Sequence, residues 1–205
     1  MKLFGVPGSP YARKVRIVLA EKNIVHDYIV ARGSAPDSPV PPFNPLGKVP
    51  TLVRDDGRGL YDSPVIVEYL DAFGSGPRLI PEDFESRIEV KRWEALGDGL
   101  AEATVNIHHE YREPADRQRP PAWFAKHQLK IDRALAAMEK ALGANEYCFG
   151  GRFTLADIAA GYALGYLDHA LPDHEWRKTH PALAKLSARL AARPSFSATM
   201  HAKAA

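Results

Sequence analysis

Three short stretches of this sequence carry residue types that could do chemistry. The first is Gly8-Ser9-Pro10-Tyr11-Ala12-Arg13-Lys14-Val15-Arg16. Ser9 stands directly before Pro10, the order expected of a helix cap followed by proline at the first helical position. A hydroxyl there can simply cap the helix. It can also stabilise a bound thiolate, because the unpaired N–H groups and the positive end of the helix dipole favour negative charge. A free thiol has a pKa near ~8.5, and helix N-termini lower such values by a unit or more. Moving a thiol from ~8.5 to ~6.5 raises its ionised fraction at pH 7 from about 3% to about 75%.

The second stretch is Asn44-Pro45-Leu46-Gly47-Lys48-Val49-Pro50, a connector running into a strand. A proline directly before a strand is a common place for a cis peptide bond. A cis Val49-Pro50 would turn the backbone groups of Val49 outward, where an extended peptide could pair with them as an added strand does. Lys48 would offer its ammonium to a carboxylate. The third stretch is Tyr61-Asp62-Ser63-Pro64-Val65-Ile66. It reads either as a capped helix start or as a clamp in which Ser63 holds a carboxylate and Asp62 an ammonium. Together the three offer a thiol anchor, a backbone clamp with a cation, and an α-amino-acid clamp. That set suits a small peptide with a thiol in its middle and free carboxylates at both ends, as in glutathione.

The elements around these stretches alternate. Lys2–Gly5 reads as a strand, and Ala12, Val15, Val18 and Leu19 recur at helical spacing up to about Lys22. Residues 26–30 read as a second strand. The segment 32–47 holds prolines at 36, 39, 41, 42 and 45 and predicts irregular loop. Thr51–Val53 and 58–61 flank Asp55-Asp56-Gly57, a hairpin signal. Ser63-Pro64 then opens a helix with Val65, Ile66, Tyr69 and Leu70 on its apolar side. The order β-α-β, crossover, β-β-α is the thioredoxin arrangement. The organisation expected is a thioredoxin-like α/β domain over 1–76, a boundary at Gly74-Ser75-Gly76-Pro77, a linker over 77–84, and an all-helical bundle over 85–205. Helices are expected at 85–112, Pro121–Leu142, 155–168 and 182–192.

Composition excludes several classes. Charged residues number 27 basic and 25 acidic, too even for a nucleic-acid face built of clustered Lys and Arg. The single cysteine, Cys148, rules out an internal disulfide, a CxxC redox pair and a Cys-based zinc site. The opening residues lack a signal-peptide core, and the longest apolar stretch, 158–167, falls far short of a membrane span, so a cytoplasmic protein is expected.

With these motifs in hand, the chain resembles the cytosolic glutathione transferases, in particular a bacterial serine-type branch related to the plant tau and phi classes. The resemblance spans essentially the whole chain and rests on Ser9 to Arg16, Asn44 to Leu52, and Asp62-Ser63 with Ile66, Tyr69 and Leu70 in that order. It implies that Ser9 donates a hydrogen bond to the glutathione sulfur. By the same resemblance the Val49 main chain, ahead of Pro50, pairs with the cysteinyl part, Lys48 lies near the glycine carboxylate, and Asp62 and Ser63 hold the γ-glutamyl end. Asp62 is shorter than the Glu of many relatives. The implied activity is attack of the glutathione thiolate on a hydrophobic electrophile, with glutathione as co-substrate and no tightly bound cofactor or metal. The implied assembly is a homodimer, with no nucleic-acid or membrane partner. The alternatives are a non-enzymatic interaction or regulatory relative, and a peroxidase, lyase or dehalogenase with one dedicated substrate.

In the second half, Phe153-Thr154-Leu155-Ala156-Asp157-Ile158 reads as a capping box with a hydrophobic staple, so Asp157 is structural. The electrophile pocket is expected beside Tyr11 and the long helix of 85–112, with Asn106, His109 and Tyr111 as candidates. His108-His109-Glu110 lacks zinc-site spacing, since neighbouring helical residues diverge. His169, His174 and His180 take no role. Cys148 reads as a small buried side chain, and Trp93, Trp123 and Trp176 as core or interface aromatics.

Overall fold

The computed structural model describes residues 1–201 and divides into two compact units, Met1–Ile80 with residues 194–201, and Pro81–Arg193. The first unit contains β1 (Lys2–Gly5), α1 (Pro10–Glu21), β2 (Asp27–Val30), β3 (Thr51–Val53), β4 (Gly59–Leu60) and α2 (Ser63–Phe73). Its sheet has the order β2-β1-β3-β4, with β1 parallel to β2 and antiparallel to β3, and β3 antiparallel to β4. This is the thioredoxin-like arrangement that the alternation of signals predicts.

Successive strand residues face opposite ways, so β1 builds two cores at once. Leu3 and Leu52 are fully buried, as are Val15, Val18, Leu19, Ile66 and Leu70 of the two helices. Gly5 faces the same side as Leu3, and a Cβ there would stand 3.0 Å from the Ala12 side chain. Phe4 and Val53 turn the other way, into a cluster with Ala31 and Val40. Ile29, Phe43 and Val49 pack on that cluster, and the Phe4 and Phe43 rings stack at 5.9 Å. The proline-rich loop is therefore irregular, as expected, yet anchored on the sheet by its few apolar residues.

One detail of this unit differs from the sequence expectation. Helix α2 starts at Ser63, one residue earlier than a Ser63 cap implies. Asp62 occupies the cap position in extended backbone and makes no side-chain capping bond. Pro64 fits because its missing N–H is one of the first-turn donors that no helical carbonyl would accept. The end of α2 is held by a buried ion pair, Lys22 Nζ to Asp71 Oδ1 at 3.2 Å. Asp71 also accepts from Leu79 N at 2.8 Å and Ile80 N at 3.1 Å, and Lys22 donates to the Pro77 carbonyl at 3.2 Å.

The second unit is helical: α3 (Phe84–Glu110), α4 (Pro121–Leu142), α5 (Leu155–Ala170), α6 (Trp176–Thr179) and α7 (Pro181–Ala191). Asp83 caps α3 by accepting from Ser86 N at 2.9 Å. Helix α5 is buried nearly all round. Helix α3 approaches it closely at Gly97, where a Cβ would stand 2.6 Å from the Ala159 carbonyl oxygen. Four-residue helices such as α6 are too short to show a period, which is why the sequence did not signal it. Trp93 and Trp176 are buried and Trp123 is half-buried. Residues 194–201, including α8 (Pro194–Ser197), belong to the first unit, whereas the sequence assigns all of 85–205 to the helical domain. Among the described residues no helix is long and apolar enough to cross a membrane.

Candidate functional site

Ser9 leaves β1 through a turn closed by its own N–H, which donates to the Val6 carbonyl at 3.0 Å. Its backbone is extended, with φ −81° and ψ 121°, and Pro10 begins the helix behind it. The Ser9 hydroxyl accepts from Ala12 N at 3.2 Å. That bond uses one lone pair and leaves the hydroxyl proton without an acceptor among the described residues. The first turn of α1 carries no acidic residue, so none of its own side chains offsets the positive end of its dipole. Arg13 and Lys14 follow directly and are buried.

The Val49–Pro50 peptide bond is cis, and so is Tyr61–Asp62. Val49 is half-buried against the Phe4–Val40 cluster, Pro50 is buried, and Lys48 is exposed. The turn that presents them is held by residues for which the sequence reading has no role. Asn44 is almost fully buried, and its Nδ2 donates to the Lys48 carbonyl and to Thr51 Oγ1, each at 3.0 Å. Thr51 Oγ1 in turn donates to the same Lys48 carbonyl at 2.8 Å, while Asn44 Oδ1 accepts from Leu46 N at 3.0 Å. Beneath this turn Gly33 crosses Gly47 so closely that a Cβ on Gly33 would lie 2.1 Å from the Gly47 carbonyl oxygen. The side-chain-to-backbone bond at Asn44-Pro45-Leu46 is the signal that could have marked Asn44, because Asn readily bonds the backbone two residues on.

Sheet register brings the three stretches to one edge. Phe4 pairs with Thr51, so the end of β1 and the turn to Ser9 lie beside Pro50. Leu52 pairs with Leu60, so the chain continuing through Tyr61 and Asp62 runs alongside Thr51 and Pro50. Ser63 is buried at the first position of α2, and Asp62 is exposed ahead of it. Ser9, Lys48, Val49, Pro50, Asp62 and Ser63 thus share one end of the first unit's sheet. Two helix N-termini and a cis-proline turn meet there, an arrangement suited to an extended anionic peptide.

The electrophile-pocket candidates divide between the units. Tyr11 lies in the first turn of α1, half-buried. Asn106 and His109 lie near the end of α3, half-buried and exposed respectively, and Tyr111 just beyond it is exposed. The Tyr111 ring stacks on Phe124 of α4 at 5.2 Å, and Trp123 stands 4.2 Å from His127. His108 Nδ1 donates to the Ala170 carbonyl at 3.2 Å, and burial and nearby Arg112 hold its pKa down. Among the described residues no group of His, Cys, Asp and Glu could hold a metal ion.

Asp157 is a structural carboxylate. It accepts from Thr154 N and from Cys148 N, both at 2.8 Å, and completes a capping box at α5. Burial pushes its pKa up, against the pull of those bonds. Cys148 is buried beside it, and burial together with the Asp157 charge pushes the thiol far up, away from nucleophilic use.

Comparison with known proteins agrees with this geometry. Residues 3–78 match the description "Glutathione S-transferase, N-terminal domain", and residues 121–189 match "Glutathione S-transferase, C-terminal domain". The chain is 36% identical to the uncharacterized GST-like protein YibF of Escherichia coli (strain K12), over the full length of both. It is 43% identical, with a TM-score of 0.93, to a glutathione S-transferase of Methylobacillus flagellatus KT solved with glutathione bound, covering 98% of this chain and 99% of that one. A glutathione S-transferase of Methylobacterium radiotolerans in complex with glutathione sulfonate matches at 38% identity and a TM-score of 0.91, covering 100% and 96%. With an open capping serine, a cis-proline turn and an Asp-Ser helix start at one sheet edge, and with both domains matched, the chain belongs to the glutathione S-transferase family.

Proposed function

We propose that this protein binds glutathione at the sheet edge of its first unit and transfers the glutathione thiolate to hydrophobic electrophiles. The observation that carries this reading is the Ser9 hydroxyl, whose proton has no acceptor among the described residues, at a helix whose first turn has no acidic side chain. In this reading Ser9 donates to the sulfur and keeps it ionised. The N–H and C=O of Val49 pair with the cysteinyl backbone beside cis Pro50. Lys48 meets the glycine carboxylate, and Ser63 with the α2 N-terminus meets the γ-glutamyl carboxylate while Asp62 takes its ammonium. The protein contributes ionisation and positioning, and the sulfur forms the new bond as the electrophile's leaving group departs. Glutathione and glutathione sulfonate, bound in two similar solved structures, support the same ligand here. Tyr11, in the first turn of α1, is proposed to face the electrophile.

The working form in this reading is a cytoplasmic homodimer. Val65, Tyr69 and Phe73 recur at helical spacing on α2, with Val65 and Phe73 exposed and the Tyr69 and Phe73 rings stacked at 5.6 Å. Phe84 and Ile88 form a second exposed apolar pair at the start of α3. A second copy covering these stripes would remove them from water.

Turnover of chlorodinitrobenzene with glutathione, beside calorimetric titration of glutathione, tests the assignment. The expected result is micromolar-to-millimolar binding and turnover that collapses in Ser9→Ala. Absence of glutathione binding would favour an interaction protein instead. Binding without conjugation across a panel of electrophiles would favour a glutathione-dependent enzyme with one dedicated substrate.

A further inference from the structure

We infer that His201 is a positioning residue for the Ser9 turn, delivered there by a C-terminal strap that runs back along α1. This rests on the role proposed above for Ser9. The strap is traceable residue by residue. Ser195 Oγ donates to Glu21 Oε1 at 2.5 Å, at the end of α1. Phe196 is buried, and its carbonyl accepts a long bond of 3.5 Å from Arg13 Nη2, whose guanidinium lies 5.9 Å from the Phe196 ring. The Ala198 carbonyl accepts from Arg16 Nη2, again at 3.5 Å. His201 Nδ1 then reaches the Pro7 carbonyl at 3.1 Å, inside the turn that Ser9 N–H closes on Val6.

The placement has a consequence because of what separates Pro7 from Ser9. Gly8 is exposed, and a Cβ built on it would meet nothing within 4 Å, so this residue has neither packing nor side-chain bulk to restrict it. A carbonyl can accept only along a limited range of directions, so a donor on the Pro7 oxygen fixes the Pro7–Gly8 peptide plane. The Ser9 hydroxyl is thereby held between two fixed points, that plane on one side and the Ala12 N–H bond on the other. The strap thus links the far end of the chain to the geometry of thiolate stabilisation.

Two substitutions separate this from a merely structural role. His201→Phe keeps the ring volume and removes the donor, and His201→Asn places an amide N–H near the position of Nδ1. Amide hydrogen exchange in the free protein reads the turn directly. The expected result is Ser9 N–H exchange about fivefold faster in His201→Phe, restored in His201→Asn. In the same variants the thiol pKa of bound glutathione, followed by thiolate ultraviolet absorbance, rises by roughly half a unit in His201→Phe and returns in His201→Asn, with kcat/KM about fivefold lower in the former. Unchanged Ser9 exchange in His201→Phe overturns the inference, whatever the enzyme does. Faster exchange alongside a wild type that does not depress the thiol pKa upholds the pin and instead contradicts the role proposed for Ser9. Faster exchange with a depressed wild-type thiol pKa that His201→Phe leaves unmoved overturns the link to catalysis.

Discussion

Two helices in this protein begin with a hydroxyl residue in the cap position, and they use it in different ways. At α5, Thr154 is buried and its hydroxyl accepts from Ala156 N at 3.2 Å while donating to Asp157 at 3.2 Å. Asp157 also supplies the negative charge for the dipole and takes the Thr154 and Cys148 N–H groups. The capping hydroxyl and the carboxylate there are both answered from within the chain. At α1, Ser9 is half-buried, accepts one bond from Ala12 N, and stands on a first turn with no carboxylate. The same local device is closed at one helix and open at the other. A cap whose hydroxyl proton has no acceptor among the described residues, on a first turn without a carboxylate, is the one proposed above to take the ligand.

Substitutions at the two caps should therefore fail in different currencies. The largest effect is expected from Asp157→Ala, which strands the buried Cys148 and Thr154 N–H groups. Chemical denaturation should show a loss of about 3 kcal/mol, while the folded fraction keeps its turnover per site. Ser9→Ala should do the reverse. Turnover with glutathione and chlorodinitrobenzene falls about 100-fold, as when one donor to a developing anion is removed, while the melting temperature shifts only by the ~1 kcal/mol of a lost cap. If instead Ser9→Ala unfolded the protein and Asp157→Ala abolished turnover, the contrast between the caps would be reversed. Asn44→Ala sharpens the picture one step out, because it removes the support of the Lys48 carbonyl. Glutathione affinity by calorimetry should weaken by roughly five- to tenfold, with kcat little changed. Smallest of all, Cys148→Ala should leave turnover unaltered, and the native protein's thiol should resist thiol reagents at neutral pH, since burial and the Asp157 charge keep it protonated.

The features that were legible in the sequence are those whose cause is local. Ser9-Pro10 and Thr154 to Asp157 each contain the cap, the helix start and, at Thr154, the reciprocal carboxylate within four residues, so type and spacing suffice. The hairpin at Asp55-Asp56-Gly57 is equally local: Gly57 sits at φ +82° and its N–H donates to the Arg54 carbonyl at 3.0 Å. Val49-Pro50 was readable because only proline makes a cis bond cheap. What escaped depends on partners distant in sequence. Asn44 is recognisable as a clamp only when the turn folds back to bring Thr51 against it. The start of α2 at Ser63 depends on where β4 ends, and Ser-Pro signals alone misplace it by a residue. The pairing of Lys22 with Asp71, and the return of residues 194–201 to α1, follow from tertiary packing that no local period encodes.

The central claim is that the Ser9 hydroxyl keeps the glutathione sulfur anionic, and the most direct test is a pH titration of enzyme-bound glutathione by thiolate ultraviolet absorbance. Wild type should ionise the bound thiol at roughly pH 6 to 7, and Ser9→Ala should return it to about the ~8.5 of a free thiol with glutathione still bound. A bound thiol that ionises at the same pH in both proteins would contradict the claim.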